Sequence, residues 1–274
     1  MNRSATAMLE APRAPAIGPL IRDWRQRRRL SQLDLALDAE ISTRHLSFLE
    51  NGRARPSREM VLHLTELMQV PLRERNAFLV AAGFAPMFGE RQLDDPELTQ
   101  ARAALDLLLK AHEPYPALVV DRQWNLQSAN RAAQRLLSVL PAEARQAPIN
   151  VMRLSLDPQG MAPLILNLGE WRHHLLSRLR AQVQASGDPQ LLALLQELSE
   201  YPPLPGEQAV NASSTPRADV LVLFRLGMPQ GELALFSTVT VFGTPTDVTL
   251  SELALEAFYP ADPASAELLR AMQD

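Results

Sequence analysis

The stretch from Leu30 to Gly52 constrains this chain more than any other. Apolar residues recur at spacings of three and four from Ile17 to about Gly83, the signature of helices. Two serines divide that pattern where it is densest. Ser31 precedes one helical run and has Asp34 three residues later, close to a capping box; Ser42 does the same for Thr43–Leu49. Ala36 is small enough for the two helices to approach closely, and Leu35, Ile41, Leu46 and Leu49 can form their shared core. Gly52 can end the second helix, and Pro56 blocks its continuation. A helix carrying Ile17, Leu20, Ile21 and Trp24 comes before. Ser57 starts another with Met60, Leu62, Leu64 and Leu67, closed by Pro71. Leu72–Ala82 is a fifth, stopped by Gly83. An all-α five-helix domain over residues 16–84 follows from this pattern.

Leu30–Gly52 resembles the Cro/repressor-type helix-turn-helix of phage repressors and of the xenobiotic-response-element-like bacterial regulators. The Ser-Gln start, the central Ala36 and the Leu-Glu-Asn-Gly ending carry the likeness. The resemblance implies that the start of the second helix enters the major groove of double-stranded operator DNA. Thr43, Arg44, Ser47 and Phe48 are then the exposed readers. Arg44 can bond O6 and N7 of a guanine, Thr43 and Ser47 either base type, and Phe48 a thymine methyl unless it belongs to the core. His45 is either a base contact or surface packing. In the resembled family the position of Gln32 grips a phosphate, and Asn51, Arg53 and Arg55 should flank one as well. Arg27, Arg28 and Arg29 are either phosphate contacts or a solvated helix end. One departure stands out: the family usually has glycine in the turn, where this chain has Glu40, which must then adopt a left-handed backbone.

Charge agrees with that placement. The overall balance is −4, but residues 1–85 hold 13 Arg against 9 Asp/Glu, or +4, and residues 86–274 hold 14 Arg/Lys against 22 Asp/Glu, or −8. Phosphate is attracted to the first part and repelled by the second.

The rest of the chain reads as mixed. A flexible tail is expected at 1–15 and a linker at 85–97, where Pro86, Gly89, Asp94, Asp95 and Pro96 cluster. Leu98–Ala111 is a helix. Strands at 117–121 and 124–128 flank a tight turn at Arg122–Gln123. Helices follow at Asn130–Leu140, Gly169–Ser186 and Pro189–Glu200, the last capped by Asp188. Tyr201–Pro216 reads as a loop. Strands at 220–226 and 232–242 form a hairpin through Gly227–Gly231, and residues 250–258 form one more strand.

Several separated motifs in this region resemble the MmyB-like regulators: Asn167-Leu-Gly-Glu-Trp171, Ser186-Gly-Asp-Pro189 and Phe242-Gly-Thr-Pro-Thr-Asp-Val-Thr249. Ser57–Val61 and Pro71–Pro86 share the likeness. It implies an α+β chain in which the helical DNA-binding domain precedes a PAS-like domain at 98–274, an antiparallel sheet covered by helices. Such a half-open sheet leaves an apolar cavity. Leu118, Val120, Leu126, Leu136, Trp171 and Leu175 are candidate linings, as are Leu223, Phe224, Leu235 and Phe236. The resemblance also implies a fatty-acid-like ligand in at least some members. Arg172, His173, His174 and Arg178 then either hold a carboxylate head group or form a solvated helix face.

Other chemistries are disfavoured. There is no cysteine, and none of the five histidines pairs with another at helical metal-site spacing. No G-x-S-x-G, phosphate-cradling glycine loop or H-E-x-x-H occurs. No enzyme activity, metal or cofactor is expected beyond a bound apolar ligand. No membrane span is expected, and a cytoplasmic location follows by default. The expectation is a homodimeric regulator on a near-palindromic operator. The alternative is a DNA-binding regulator whose C-terminal domain serves dimerisation or protein contacts without a small molecule.

Overall fold

The structure is a computed structural model that describes residues 16–207 and 221–272. The tail expected at 1–15, the later part of the loop expected at Tyr201–Pro216, and the first residue of the strand expected at 220–226 lie outside the described residues.

Two compact units divide between Gly89 and Glu90. The first contains α1 (Ile17–Arg27), α2 (Gln32–Asp38), α3 (Thr43–Glu50), α4 (Arg58–Leu67) and α5 (Leu72–Ala81). Serines set its joints. The Ser31 hydroxyl accepts from the Asp34 N–H while the Asp34 carboxylate accepts from the Ser31 N–H, a reciprocal capping box. Ser42 and Ser57 accept from the N–H groups of His45 and Met60 and so cap α3 and α4. Glu40 adopts φ 54°, the left-handed backbone that a glycine would take more cheaply, and Gly52 ends α3 at φ 70°.

With seven and eight residues, α2 and α3 are too short to persist alone. Burial holds them: Leu35, Ala36, Leu46 and Leu49 share a core with Ile21, Trp24 and Phe78. The closest approach lies between α1 and the end of α3. A Cβ on Gly18 would stand 2.5 Å from the Glu50 carbonyl oxygen and 2.8 Å from that of Leu49. Beside it, Arg25 donates Nε to Glu50 Oε1 at 2.6 Å and Nη2 to Oε2 at 3.0 Å. Its Nη1 donates to the Leu30 carbonyl at 2.8 Å. Gln32 of α2 donates to the same Glu50 Oε2 at 2.8 Å. One fully buried carboxylate thereby joins α1, α2 and α3. Burial alone would raise its pKa, but the hydrogen bonds from Arg25 and Gln32 and the charges of Arg25 and Arg22 outweigh that and hold it below the ordinary value.

Of the three consecutive arginines, Arg28 is a structural cap. Its guanidinium donates to the Met68 and Gln69 carbonyls at 2.7 and 2.9 Å and rests over the Trp24 ring. A cation there satisfies the last carbonyls of α4 and complements its dipole.

The second unit begins with a short 3-10 turn at Pro96–Leu98 and α6 (Thr99–Ala111). It continues with β1 (Ala117–Val120), β2 (Leu126–Ala129), α7 (Arg131–Ser138), α8 (Val151–Leu156), α9 (Leu168–Ser186) and α10 (Pro189–Ser199). It closes with β3 (Phe224–Met228), β4 (Gly231–Val241), α11 (Val248–Glu252), β5 (Ala254–Pro260) and α12 (Pro263–Ala271). The sheet is antiparallel in the order β2-β1-β5-β4-β3. Alternation sorts its two faces. Ala117, Val119, Leu255 and Ala257 pack with Leu105 and Leu109 of α6, whereas Val120, Phe224, Leu233 and Leu235 join the larger core with α7–α10.

Two expectations need correction. The strand expected at 250–258 begins only at Ala254. Asp247 accepts from the N–H groups of Thr249 and Leu250, and the Ser251 hydroxyl donates to the Val248 carbonyl, which folds the preceding residues into α11. The hairpin turn is shorter than expected, with β3 running from Phe224 to Met228 and β4 starting at Gly231. The expected linker is tied down at both ends within its own units. Asn76 accepts from the N–H groups of Met87 and Phe88, and Arg91 pairs with Asp247 and Glu97.

Two outcomes follow for the α1–α3 junction. Gly18→Ala gains about 1 kcal/mol of helix propensity but meets backbone, not a movable side chain. We expect a net loss of about 1–3 kcal/mol, read as faster hydrogen exchange across α1–α5; unchanged exchange would contradict the close approach. Because the folded Glu50 has the lower pKa, its contribution is complete above about pH 4.3, the unfolded value, and is lost as pH falls through the folded one. Glu50→Gln should therefore flatten the stability of this unit against pH in that acid range. Glu50→Ala, which strands Arg25, should cost about 3–5 kcal/mol.

Candidate functional site

The outer side of α3 is polar and accessible. Thr43 and Arg44 are exposed at its first turn, followed by half-buried His45, Ser47 and Phe48. Arg44 lies over the Phe48 ring at 5.3 Å, so Phe48 serves as a platform for the guanidinium rather than as core. Among the described residues Arg44 makes no hydrogen bond or ion pair, which leaves all five of its N–H donors for an outside acceptor. Leu46 and Leu49, on the opposite side of the same helix, are fully buried and fix its rotation about its axis. Arg53 and Arg55 are exposed just beyond α3.

Two candidate residues are engaged within the fold. Gln32 is half-buried and spends one amide hydrogen on Glu50; it has only its second for a phosphate. Asn51 accepts from Arg22 Nη2 at 2.7 Å and donates to the Ser47 carbonyl at 2.8 Å, with a longer contact to the Ser47 hydroxyl at 3.3 Å. This chain of contacts runs along the end of α3 and orients Ser47.

In the second unit α9 is fastened to the sheet by polar contacts. Arg122, in the β1–β2 turn, pairs with Asp188 and Glu252. Trp124 adopts φ 69° in that turn and donates its Nε1–H to Gln182 of α9 at 2.8 Å. Asp121 fixes this backbone by accepting from the N–H groups of Gln123 and Asn125. Arg178 of α9 stacks over the Trp124 ring at 4.3 Å and donates to Glu256 of β5 at 2.9 Å.

Between these contacts the larger core contains a cavity of about 70 Å³. That is several times the volume one water needs, in an interior where voids larger than a water are few. Leu118, Leu136, Trp171, Leu175, Phe224 and Leu235, all singled out from the sequence, line it. The other candidates do not. Val120 is buried in the surrounding core, and Leu126 sits half-buried on the edge strand. Leu223 precedes β3, and its carbonyl accepts from Asn167. Phe236 alternates to the opposite face from Leu235 and stacks on Tyr259.

The proposed head-group residues are also placed elsewhere. Arg172 pairs with Glu207 at 2.7 Å, fastening the segment after α10, and His173 is exposed. His174 stacks on Trp171; burial, then the charge of Arg178, pushes its pKa down, so it is a poor cation. Arg178 is not on the lining and stands behind two residues that are, Glu256 and Trp124.

Sequence reasoning missed the floor of the cavity: Val151, Met152, Leu154 and Ser155 of α8, with Met161 beyond it. A signal existed. Asn150, which caps α8 by accepting from the Arg153 N–H, stands directly before a dense apolar run. Glu256 was also missed, as a lone acidic residue in an apolar strand.

Among the described residues there is no cluster of three or more His, Cys, Asp or Glu that could hold a metal ion. No helix among them is long and apolar enough to cross a membrane.

Comparison with known proteins matches each unit to a domain family. A helix-turn-helix domain family matches residues 16–78, and the MmyB-like transcription regulator ligand binding domain matches residues 101–272. No curated protein matches the chain. One solved structure, described as "Structure of an RNA-binding Light-Oxygen-Voltage Receptor", shares 12% identity over 100% of this chain and 68% of that chain, at a TM-score of 0.25, too low to carry an argument. The two family matches are to regulatory domains, not catalytic ones, and the antiparallel sheet wrapped by helices is PAS-like. With one match covering the reading helix and the other more than half of the sequence, this chain belongs to the MmyB-like family of transcription regulators.

Proposed function

We propose that this chain is a one-component regulator that reads a specific operator through the start of α3, and whose DNA affinity changes when a small apolar molecule occupies the cavity of the second unit. The observation that carries the first half is Arg44. It is an exposed cation at the first turn of α3, unpaired among the described residues and braced by Phe48. In a helix-turn-helix the first turn of this helix is the part that reaches base edges. Thr43, Ser47 and His45 complete the reading side, while Asn51, Arg53 and Arg55 stand where phosphate contacts set register. Gln32 contributes chiefly by bracing Glu50.

The second half rests on the apolar void. Leaving such a space empty forfeits packing on every wall, so an occupant of matching chemistry gains what the protein alone cannot. For the occupant to change DNA binding it must favour one conformational state over another. A homodimer fits this scheme, with two copies of α3 about one helical turn apart on a near-palindromic site.

The test uses DNA from just upstream of the chain's own gene in a gel shift with operator variants. Arg44→Ala should weaken binding by about 1–3 kcal/mol and relax preference at one base pair. Arg53→Ala should weaken all sequences alike and reduce the salt slope by about 1. Unchanged affinity and preference in Arg44→Ala would remove Arg44 as the reader. Native mass spectrometry of the purified chain checks the other half: a stoichiometric small molecule supports ligand sensing, and a bare chain favours a domain used for protein contacts.

A further inference from the structure

Besides the Ser155 hydroxyl, two polar features of the cavity lining select among apolar ligands. The first is an unused donor. Trp171 is 5% exposed and lines the cavity, yet its buried Nε1–H has no hydrogen-bond acceptor among the described residues. Trp124, the other indole on the lining, shows the usual arrangement: its Nε1–H donates to Gln182. A buried donor without a partner costs about 1–3 kcal/mol, and buried polar groups in native proteins are nearly always paired. Phe224 stacks on the same indole at 4.6 Å between ring centres, and it too lines the cavity.

The second feature is the sign of the charge. Glu256 is the one ionisable residue on the lining among the described residues; no arginine, lysine or histidine is there. Its Oε1 accepts from Arg178 at 2.9 Å and from the Ser237 hydroxyl at 3.1 Å. The nearest cation is thus already committed to a buried carboxylate. A ligand carboxylate would enter an apolar space beside that carboxylate without a cation of its own. Burial and like charge both oppose it.

We infer that the cavity selects a neutral, mostly apolar molecule bearing one uncharged oxygen acceptor, such as a ketone or ester carbonyl, which accepts from Trp171 Nε1–H, and that it discriminates against fatty-acid anions. This rests on the reading of the second unit as a ligand sensor, and it names the class of ligand. Trp171 supplies orientation, the apolar walls supply affinity, and Glu256 supplies exclusion.

Three probes of similar length test it on the full chain: hexyl methyl ketone, the isosteric alkene in which a methylene replaces the carbonyl oxygen, and octanoate. Binding is measured by nuclear magnetic resonance of the indole N–H signals, of which the chain's three tryptophans give three. The Trp171 signal is assigned as the one missing in Trp171→Phe. The ketone should move that signal downfield and bind about five- to tenfold tighter than the alkene. Trp171→Phe should erase that preference. Octanoate should bind more weakly than the ketone, and Glu256→Gln, which removes the like charge beside the cavity, should strengthen octanoate about tenfold.

The titration of the unaltered chain stands even where a variant folds poorly. Equal binding of ketone and alkene, or ketone binding with an unmoved Trp171 signal, overturns the acceptor role while leaving a ligand pocket in place. Octanoate binding the unaltered chain as tightly as the ketone overturns the exclusion. Failure of all three probes to bind overturns the sensor reading, and this inference with it.

Discussion

The DNA-facing unit depends on one buried carboxylate. Glu50 is the last residue of α3, and it receives Arg25 from α1 and Gln32 from α2. Neither α2 nor α3 is long enough to hold its shape unaided. Their mutual angle therefore comes from what they share: the leucine core beneath and this polar junction at the edge. The bidentate arginine fixes direction as well as distance, and the bare Gly18 lets α1 close on the same spot. A buried ion pair is weak evidence for net stability, since desolvation offsets much of the attraction. Its value here is geometric. It sets which side of α3 faces outward, and with it the position of Arg44.

The second unit applies the same device with the opposite packing result. Its polar bolts, Arg122 to Asp188 and Glu252 and Arg178 to Glu256, lie around the core. They hold α9 against the β1–β2 turn and β5, so the large side chains between them cannot close the remaining gap. Trp124 is kept in a left-handed backbone by the Asp121 turn and by its own bond to Gln182. Strain held in place by surrounding bonds clusters at functional sites, and Trp124 is on the cavity wall.

The helical unit was readable because its signals are local. Serine caps, a small residue at a close crossing and a breaker each act within a few positions, so Ser31, Ala36, Ser42 and Gly52 can be read without knowing the tertiary fold. Glu40 shows the same point from the other side: the turn demands a left-handed residue and the backbone supplies one despite its Cβ. The misses in the second unit are non-local. Leu250 looks like a strand residue until the Asp247 side chain turns back and accepts from its N–H. Arg172 and His174 sit beside Trp171 in sequence, but a helix sends neighbours in different directions, one to Glu207 and the other onto the indole. Arg28 was ambiguous for a similar reason, because its acceptors are about forty residues away, just past the end of α4. The partners of a long charged side chain are set by the fold.

The two units differ in how complete they are, and that difference suits their roles. Helix α3 has its inner side packed and its end clamped, so its outward side chains are held in place by the fold itself. The cavity is bounded by large apolar side chains and by the Trp171 indole. At ~24 cal/mol per Å³, a void of about 70 Å³ corresponds to roughly 2 kcal/mol, and the unpaired indole donor adds a similar amount. Under the proposed function, an occupant that fills the one and pairs the other biases the domain toward one conformational state. A conformational change requires such a bias from its ligand, and typical coupling energies between sites lie in the same range of 1–3 kcal/mol. A perfectly packed core with every donor satisfied would be more stable and would have nothing left for a signal to change.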